Sequence, residues 1–165
     1  MHIRQERPED VDTIRYLTTA AFRDVPYSSR TEAAIVDALR NAGALALSLV
    51  AVEDNEIVGH VALSPVTINS EATGWYGLGP VSVWPDHQRK GIGQALISEG
   101  LSYLRRMHAQ GCVVLGDPGY YGRFGFASDP ELWYRDVPPE YFQRLSFTEI
   151  MPKGEVAYHP EFGAT

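Results

Sequence analysis

Apolar residues recur at helical spacing in three segments of the chain. They are Val11, Ile14, Leu17, Ala21 and Phe22 in the first segment, Ala34, Ile35, Ala38 and Leu39 in the second, and Ile92, Ala95, Leu96, Tyr103, Leu104 and Met107 in the third. Each set falls on one face of a helix, so each segment predicts an amphipathic helix. Residues 29–32, Ser-Arg-Thr-Glu, have the pattern of a capping box that opens the second helix, and Gly43 and Gly111 are expected to end the second and third.

Shorter apolar runs predict strands. Residues 45–52 and 57–63 flank a polar turn and predict a hairpin. Pro65 is expected to bound the second strand or to start a bulge, because proline has no N–H for a central ladder. Further strands are expected at Ile3, over 75–84, over 112–115, over 147–151 and over 155–158. The glycines and the proline of residues 77–80 interrupt one of these strands and predict a bulge or bend.

The composition is that of an ordinary globular protein. The chain has 165 residues, of which 44% are hydrophobic and 21% charged, and this predicts one domain over 1–165. It has no apolar run of membrane-spanning length and no signal-peptide core, so a cytoplasmic location and no membrane partner are expected. The net charge of −7 argues against nucleic acid as a partner. Cys112, the single cysteine, lies in an apolar run and is expected to be a buried thiol rather than a nucleophile.

The most informative stretch joins the strand over 75–84 to the third helix. It turns at Pro85, passes two basic residues and two glycines, and enters the helix near Ile92. The first turn of a helix has N–H groups without intrahelical partners, and the helix dipole adds partial positive charge there. Glycines allow a ligand to approach the backbone, while arginine and lysine add full charges. The stretch therefore predicts a phosphate-binding loop, whose residues are Gln88, Arg89, Lys90, Gly91, Ile92, Gly93 and Gln94.

Two common phosphate loops do not fit this stretch. A dinucleotide fingerprint needs a third glycine where Leu96 stands, and a P-loop needs Lys-Ser or Lys-Thr where residues 94–95 are Gln-Ala. The pattern that remains, Gln-x-x-Gly-x-Gly between a strand and an amphipathic helix, resembles the Arg/Gln-x-x-Gly-x-Gly/Ala signature loop of the GNAT superfamily of N-acetyltransferases. The resemblance is strongest over 78–126, and the core that carries the motifs is expected at about 45–126.

The resemblance implies a fold and a co-substrate. A GNAT-like α/β (α+β) domain has a mixed, mostly antiparallel sheet that splays open between helices. Its signature loop holds the diphosphate of acetyl-CoA. The free backbone groups of the splayed strand, here at Val81, Ser82 and Val83, bond the pantetheine arm and the thioester carbonyl. The chemistry is sound because an N–H aimed at the developing oxyanion stabilises the tetrahedral intermediate of acyl transfer.

Residues 121–126, Tyr-Gly-Arg-Phe-Gly-Phe, form a second informative stretch. They resemble the Tyr-x-x-Leu-Gly-Phe segment of many GNAT domains, in which the tyrosine often protonates the departing CoA thiolate. The resemblance implies Tyr121 as the catalytic acid, and a phenol and a thiol have comparable reference pKa values. Tyr120 is the alternative, and the spacing to Gly125 favours Tyr121. The chain departs from the family at Val114, where many members carry an asparagine that contacts CoA.

The base that takes a proton from an ammonium acceptor is left open by the sequence. His60, Asp24 and Glu32 are candidates, and a histidine in a strand is more often simply hydrogen-bonded. The five histidines and one cysteine lack metal-ligand spacing, so no metal is expected. Without a Gly-x-Ser-x-Gly elbow, direct transfer is favoured over an acyl-enzyme.

The sequence as a whole predicts an N-acetyltransferase that moves an acetyl group from acetyl-CoA directly to an amine of a small molecule, peptide or protein. Two alternatives remain: an acyltransferase with another acyl donor or a hydroxyl acceptor, and a non-catalytic CoA-binding regulatory module. Loops near Tyr27, Trp75 and Trp133 are expected to select the acceptor, and no motif specifies the oligomeric state.

Overall fold

The computed structural model describes residues 1–164. Its strands are β1 (His2–Gln5), β2 (Leu47–Glu53), β3 (Glu56–Ile68), β4 (Glu71–Val83), β5 (Gly111–Leu115), β6 (Leu132–Trp133), β7 (Phe142–Ser146) and β8 (Gly154–Tyr158). Its α-helices are α1 (Val11–Phe22), α2 (Glu32–Asn41), α3 (Ile92–Arg106) and α4 (Pro118–Tyr121). Across these residues, every helix is too short or too polar to cross a membrane.

The strands form a mixed sheet in the order β1-β2-β3-β4-β5-β7. Neighbours along this path are antiparallel except for β4 and β5, which are parallel. β8 pairs with the end of β3 and with the short β6. The predicted mixed, mostly antiparallel sheet is therefore confirmed.

Helices cover both faces of the sheet, and the alternation of side chains along the strands shows which face each helix covers. Leu49 of β2 belongs to the core that includes α3, whereas its neighbour Val50 packs in the cluster of Ile14 from α1 and Val36 from α2. Successive residues of a strand point to opposite faces. The helix α3 thus lies on one face, and α1 and α2 lie on the other.

Pro65 takes the second of its two predicted roles. It does not bound β3, which continues to Ile68 with a register irregularity beside the proline, as the predicted bulge requires. The strand expected over 147–151 lies earlier, as β7. The Ser146 hydroxyl lies within 3.0 Å of the carbonyl oxygens of Thr148 and Ile150, and its proton bridges them, so the following residues turn and the chain leaves the sheet there.

Two helix predictions also need correction. The second helix begins at Glu32 after Thr31, and its N-terminal residue makes no side-chain capping bond, so the predicted capping box is absent. Met107 was expected on the buried face of α3, but the helix ends at Arg106 and the Met107 side chain is exposed. Gly43, with a φ of 69°, follows α2 as expected.

Candidate active site

β4 and β5 pair over three residues, at the middle of β4 and the beginning of β5, and then diverge. Three pairs of residues face each other, from Trp75 opposite Gly111 to Gly77 opposite Val113. Beyond that point β5 follows β7, while β4 follows β3. Residues 79–80 add one extra residue on β4 relative to β3, which is the predicted bulge. The divergence leaves a wedge between the two strands, as the predicted splay requires.

Val81 and Val83 direct their backbone N–H and C=O groups into this wedge. The Trp84 N–H donates to the Val58 carbonyl of β3 at 3.0 Å. Because bonding alternates along an antiparallel strand, the backbone of Ser82 also faces β3, and the two valines face the opposite edge. Within residues 1–164 no strand pairs with that edge, so the two valine amides are available to a ligand.

The N-terminus of α3 forms another wall of the wedge. A short turn, Pro85–His87, follows β4, and Arg89 and Gly91 have positive φ angles of 65° and 83°. Gly91 precedes the helix, and its carbonyl accepts the first intrahelical bond from the Ala95 N–H at 3.0 Å. The N–H groups of residues 92–94 therefore have no partner within the helix and suit an anion.

One pocket of about 570 Å³ unites the wedge with the start of α3. The predicted site residues that line it are Val81, Val83, Gln88, Arg89, Gly91, Ile92, Gly93, Gln94 and Tyr121. The predicted residues Ser82 and Lys90 are not among its lining. The Ser82 side chain is buried and the Lys90 side chain is exposed.

Two further parts of the wall were only partly identified from the sequence, which named Tyr120 as the alternative acid and a loop near Tyr27. The end of α1 contributes Ala21, Phe22 and Val25, and the α4 region contributes Tyr120 and Arg123. Helical periodicity marked the buried face of α1 but carries no information on what the last turn reaches. The loop after α1 leaves Tyr27 89% exposed, whereas Trp75 is buried within the sheet and does not shape a loop as predicted.

Tyr121 lies against the backbone at the end of β5. A Cβ at Gly116 would overlap the Tyr121 ring, so the absence of a side chain there makes room for the phenol. The ring also meets Phe126 edge-on, with 6.0 Å between centroids. Burial, with smaller contributions from Tyr120 and other groups nearby, raises the pKa of Tyr121 to about 12. The phenol therefore keeps its proton at neutral pH, as a catalytic acid must.

Tyr120 points in a different direction from its neighbour. Its hydroxyl lies 3.6 Å from the position that a Cβ would take at Gly93, in the first turn of α3. The Tyr120 and Tyr121 rings are perpendicular. Burial raises the pKa of Tyr120, and Arg123 partly offsets that effect. Tyr120 thus borders the phosphate-binding end of the pocket, whereas Tyr121 borders the end of β5.

Arg123 carries an unopposed positive charge at the mouth of the pocket. Its guanidinium stacks on the Tyr120 ring at 4.5 Å, and its Nε donates to the Tyr120 carbonyl. It also lines an adjoining cavity of about 470 Å³ beside the first turns of α3. Within residues 1–164, neither Arg123 nor Arg89 and Lys90 forms an ion pair. An arginine three residues after a tyrosine in a helical segment could have suggested this stacking.

The remaining candidates for chemistry lie elsewhere. The Cys112 thiol is fully buried, and that burial raises its pKa, so it is inert as expected. The Ser28 hydroxyl donates its one proton to the Glu32 carboxylate at the start of α2 and lies within 2.8 Å of both carboxylate oxygens. His60 is fully buried between strands. Over the described part of the chain, no cluster of three or more His, Cys, Asp or Glu could hold a metal ion.

The close fit between Tyr121 and Gly116 supports a prediction. Gly116→Ala places a methyl group inside the phenol ring, so the ring must move. We expect kcat to fall at least tenfold and the free energy of unfolding to drop by about 1–3 kcal/mol, as for other overpacked sites. Steady-state kinetics and urea unfolding measure the two effects. A variant with wild-type kcat would show that the place of Tyr121 is irrelevant to turnover.

The known proteins that this chain resembles are all described as acetyltransferases. A family model described as an acetyltransferase (GNAT) domain matches residues 2–128. The uncharacterised N-acetyltransferase YhbS of Escherichia coli strain K12 is 39% identical over 127 residues, 76% of this chain and 73% of YhbS. A crystal structure of a GNAT family acetyltransferase from Brucella melitensis in complex with acetyl-CoA is 56% identical, with a TM-score of 0.88 over 98% of this chain and 97% of that one. The structure of Escherichia coli YhbS in complex with CoA is 33% identical, with a TM-score of 0.89 over 98% of this chain and 91% of YhbS.

Proposed function

The chain belongs to the GNAT family of acetyltransferases, and we propose that it moves an acetyl group from acetyl-CoA directly to an amine of a small molecule, peptide or protein. A single domain over 1–165 and a cytoplasmic location belong to the same proposal. The Brucella relative was crystallised with acetyl-CoA and Escherichia coli YhbS with CoA, which supports the choice of donor.

One observation supports this function best. The free amides of Val81 and Val83 and the free N–H groups of residues 92–94 open onto one pocket. The first set suits an extended chain with a carbonyl at its end, and the second suits a diphosphate. CoA thioesters have both features at opposite ends of one arm.

In this proposal, each wall of the pocket binds one end of the coenzyme. Residues 92–94 hold the diphosphate, with Arg89 adding charge. The pantetheine arm runs back along β4 past Val83, whose carbonyl accepts a hydrogen bond from the Gln88 side chain at 3.1 Å. The thioester then lies near Val81, whose N–H stabilises the oxyanion as the amine attacks.

Tyr121 completes the transfer. When the tetrahedral intermediate collapses, the carbon–sulfur bond breaks and the sulfur takes the phenol proton. The pKa of Tyr121, raised by burial to about 12, would make transfer to a thiolate in water uphill. Burial in the same pocket raises the pKa of the departing thiol in the same direction, which brings the two groups closer together.

A thiol-release assay tests the proposed function. The protein is mixed with acetyl-CoA, propionyl-CoA or succinyl-CoA and with a panel of amines, amino acids and peptides, and free CoA is measured. We expect amine-dependent release that is fastest with acetyl-CoA. If acyl-CoA binds tightly but no donor and acceptor pair releases CoA, the protein is a regulatory CoA-binding module instead. If CoA is released faster from propionyl-CoA or succinyl-CoA, the donor is not acetyl-CoA.

The unopposed charge of Arg123 gives a second prediction. In Arg123→Ala the Kd for acetyl-CoA should rise about tenfold, or about 1.4 kcal/mol, because a charge-assisted contact to phosphate is lost. The kcat at saturating acetyl-CoA should stay near the wild-type value, and added salt should shrink the difference.

Arg106→Ala is the matched control for this experiment. Arg106 stacks on the Tyr103 ring at 4.5 Å, like Arg123 on Tyr120, but at the far end of α3. The Kd of the Arg106→Ala variant for acetyl-CoA should equal that of the wild type. Equal affinities of the Arg123→Ala variant and the wild type would remove Arg123 from the binding site.

A further inference from the structure

His87 lies in the turn between β4 and the phosphate-binding loop, and its ring lines the candidate active-site pocket. Its side chain is half-buried, whereas every other residue of the stretch 85–90 is exposed. The chain therefore turns this one side chain inward at the edge of the pocket. The function proposed above gives the ring no role.

The turn holds the His87 ring in a fixed place. The His87 N–H donates to the Trp84 carbonyl at 2.8 Å, and Pro85 fixes the backbone between them. Trp84 is itself fastened to β3, since its backbone N–H donates to the Val58 carbonyl and its indole Nε1 donates to the Ile57 carbonyl at 3.1 Å. The ring is thus held by the sheet and is ready for a ligand without a rearrangement.

The two nitrogens of the ring have different surroundings. Nδ1 is buried and has no hydrogen-bond partner within residues 1–164. Nε2 has no partner in that part of the chain either, but it is not a buried atom, so it reaches open space. Because the ring lines the pocket, Nε2 is the nitrogen that a bound molecule can contact.

These surroundings place a proton on Nε2 of His87. A histidine ring carries one proton when it is neutral and two when it is charged. A buried N–H without an acceptor is rarer in proteins than a buried acceptor without a donor, so a single proton belongs on Nε2 rather than on Nδ1. In the charged ring Nε2 carries one of the two protons. In both states Nε2–H is a donor at the surface of the pocket.

Packing alone does not explain an imidazole at this position. A buried polar atom without a partner costs stability, and a phenyl ring of similar shape would fill the same space without that cost. The feature that only the imidazole supplies is the donor at Nε2. Its use must therefore come from a molecule that enters the pocket.

The pocket around His87 suits an anionic partner for this donor. Over the described residues, no acidic side chain lines the pocket, so no carboxylate competes for the Nε2 proton. Arg89 and Arg123 line the same pocket and add positive charge. In the chain, His87 lies between Val83, which borders the pantetheine arm in the proposed function, and the free N–H groups of residues 92–94, which hold the diphosphate.

Resting on the acetyl transfer proposed above, we infer that His87 binds the coenzyme where the pantetheine arm meets the diphosphate. Its Nε2–H donates to an oxygen of the phosphate that carries the arm. This contact fixes the direction in which the arm leaves the diphosphate and enters the gap between β4 and β5. His87 is thus a coenzyme-binding residue, and it takes no part in the transfer of the acetyl group.

His87→Phe and His87→Gln test the inference by calorimetry with acetyl-CoA. Phenylalanine keeps the ring and removes the donor, so the Kd should rise about tenfold, as for a lost hydrogen bond to a charged group. The glutamine amide reaches about as far as Nε2 and can donate, so its Kd should stay within about threefold of wild type. In thiol-release kinetics the loss should appear in the KM for acetyl-CoA rather than in kcat.

Coenzyme fragments locate the contact. Phosphopantetheine contains the phosphate that carries the arm, whereas adenosine 3′,5′-bisphosphate lacks it. Displacement of acetyl-CoA in calorimetry gives the Kd of each fragment. His87→Phe should weaken phosphopantetheine about tenfold and change adenosine 3′,5′-bisphosphate by no more than about twofold. Equal losses for the two fragments would overturn the assignment to this phosphate.

His108→Phe is the matched control, because His108 is exposed just after the far end of α3. Its Kd for acetyl-CoA should equal that of the wild type. The midpoint of urea unfolding should not fall in His87→Phe, since an unpartnered buried nitrogen is removed. If that variant does not fold, His87→Asn, whose amide is too short to reach the place of Nε2, is compared with His87→Gln instead.

Three results would overturn the role of His87. They are a wild-type Kd in His87→Phe, a Kd in His87→Gln as weak as that of the variant without a donor, and a lower kcat with an unchanged Kd. Each leaves the proposed function standing, because wild-type protein would still bind acetyl-CoA. A wild-type protein that neither binds acetyl-CoA nor releases thiol from it overturns the proposed function itself.

Discussion

Gly93→Val should weaken acetyl-CoA binding about 100-fold, or about 2.8 kcal/mol, while leaving the fold intact. The first carbon of a side chain fits at this position, since it would lie 3.6 Å from the Tyr120 hydroxyl and 3.9 Å from the Val83 side chain. The further methyl groups of valine would enter the space between α3 and β4, where the diphosphate and pantetheine are placed. Bonds from several backbone N–H groups to a charged phosphate would be lost together. Isothermal titration calorimetry measures the change.

Three further glycine substitutions sharpen this test. Gly93→Ala should cost less than Gly93→Val, because the extra carbon makes only ordinary contacts. Gly91→Ala has open space, but its φ of 83° strains a side chain and so disturbs the start of the helix. Gly122→Ala is the control, since it also has open space but an ordinary φ of −57°. Unchanged affinity of Gly93→Val would exclude the loop as the diphosphate site.

Tyr121→Phe should lower kcat about 100-fold and change the Kd for acetyl-CoA by no more than about threefold. The substitution removes one hydroxyl and keeps the ring that packs on Phe126 and beside Gly116. Loss of a positioned general acid costs on the order of 10²–10⁴ in rate. Thiol release at saturating substrates gives kcat, and calorimetry gives the Kd.

The raised pKa of Tyr121 sets the expected pH profile. A phenol with a pKa of about 12 stays protonated below that value, and it loses its proton only as the pH rises through it. Tyr121 should therefore cause no fall in wild-type activity between pH 7 and about 10. Tyr120→Phe is the informative comparison, since Tyr120 borders the phosphate end and should affect binding more than kcat. If Tyr121→Phe kept the wild-type kcat at every pH and Tyr120→Phe lost it, Tyr120 and not Tyr121 would be the acid.

Local periodicity was enough to predict the order of the main elements. A helical face such as Ile14 and Leu17, or an apolar run such as 112–115, depends on residues close together in the chain. Strand ends were less predictable because they depend on distant partners. β7 was misplaced, since its pairing with β5 joins residues about 30 apart, and β3 continues past Pro65 because β8 pairs with it there.

The site divides in the same way. The phosphate-binding loop was recognisable because all of its residues are contiguous with the start of α3. The α1 wall and the stacking of Arg123 were not recognisable, because they form only when separate elements pack together. His60 was a candidate in the sequence, but its hydrogen bond to Ser48 joins two strands, and no local pattern predicts it. Trp75 was wrongly expected near a loop that selects the acceptor, because its place in the sheet also depends on distant partners.

A crystal structure of this protein with bound acetyl-CoA is the most direct measurement. We expect the diphosphate oxygens about 3 Å from the N–H groups of residues 92–94, and the thioester beside the Val81 N–H in the gap between β4 and β5. Coenzyme density in any other cavity, or a thioester turned away from β4, would contradict the account.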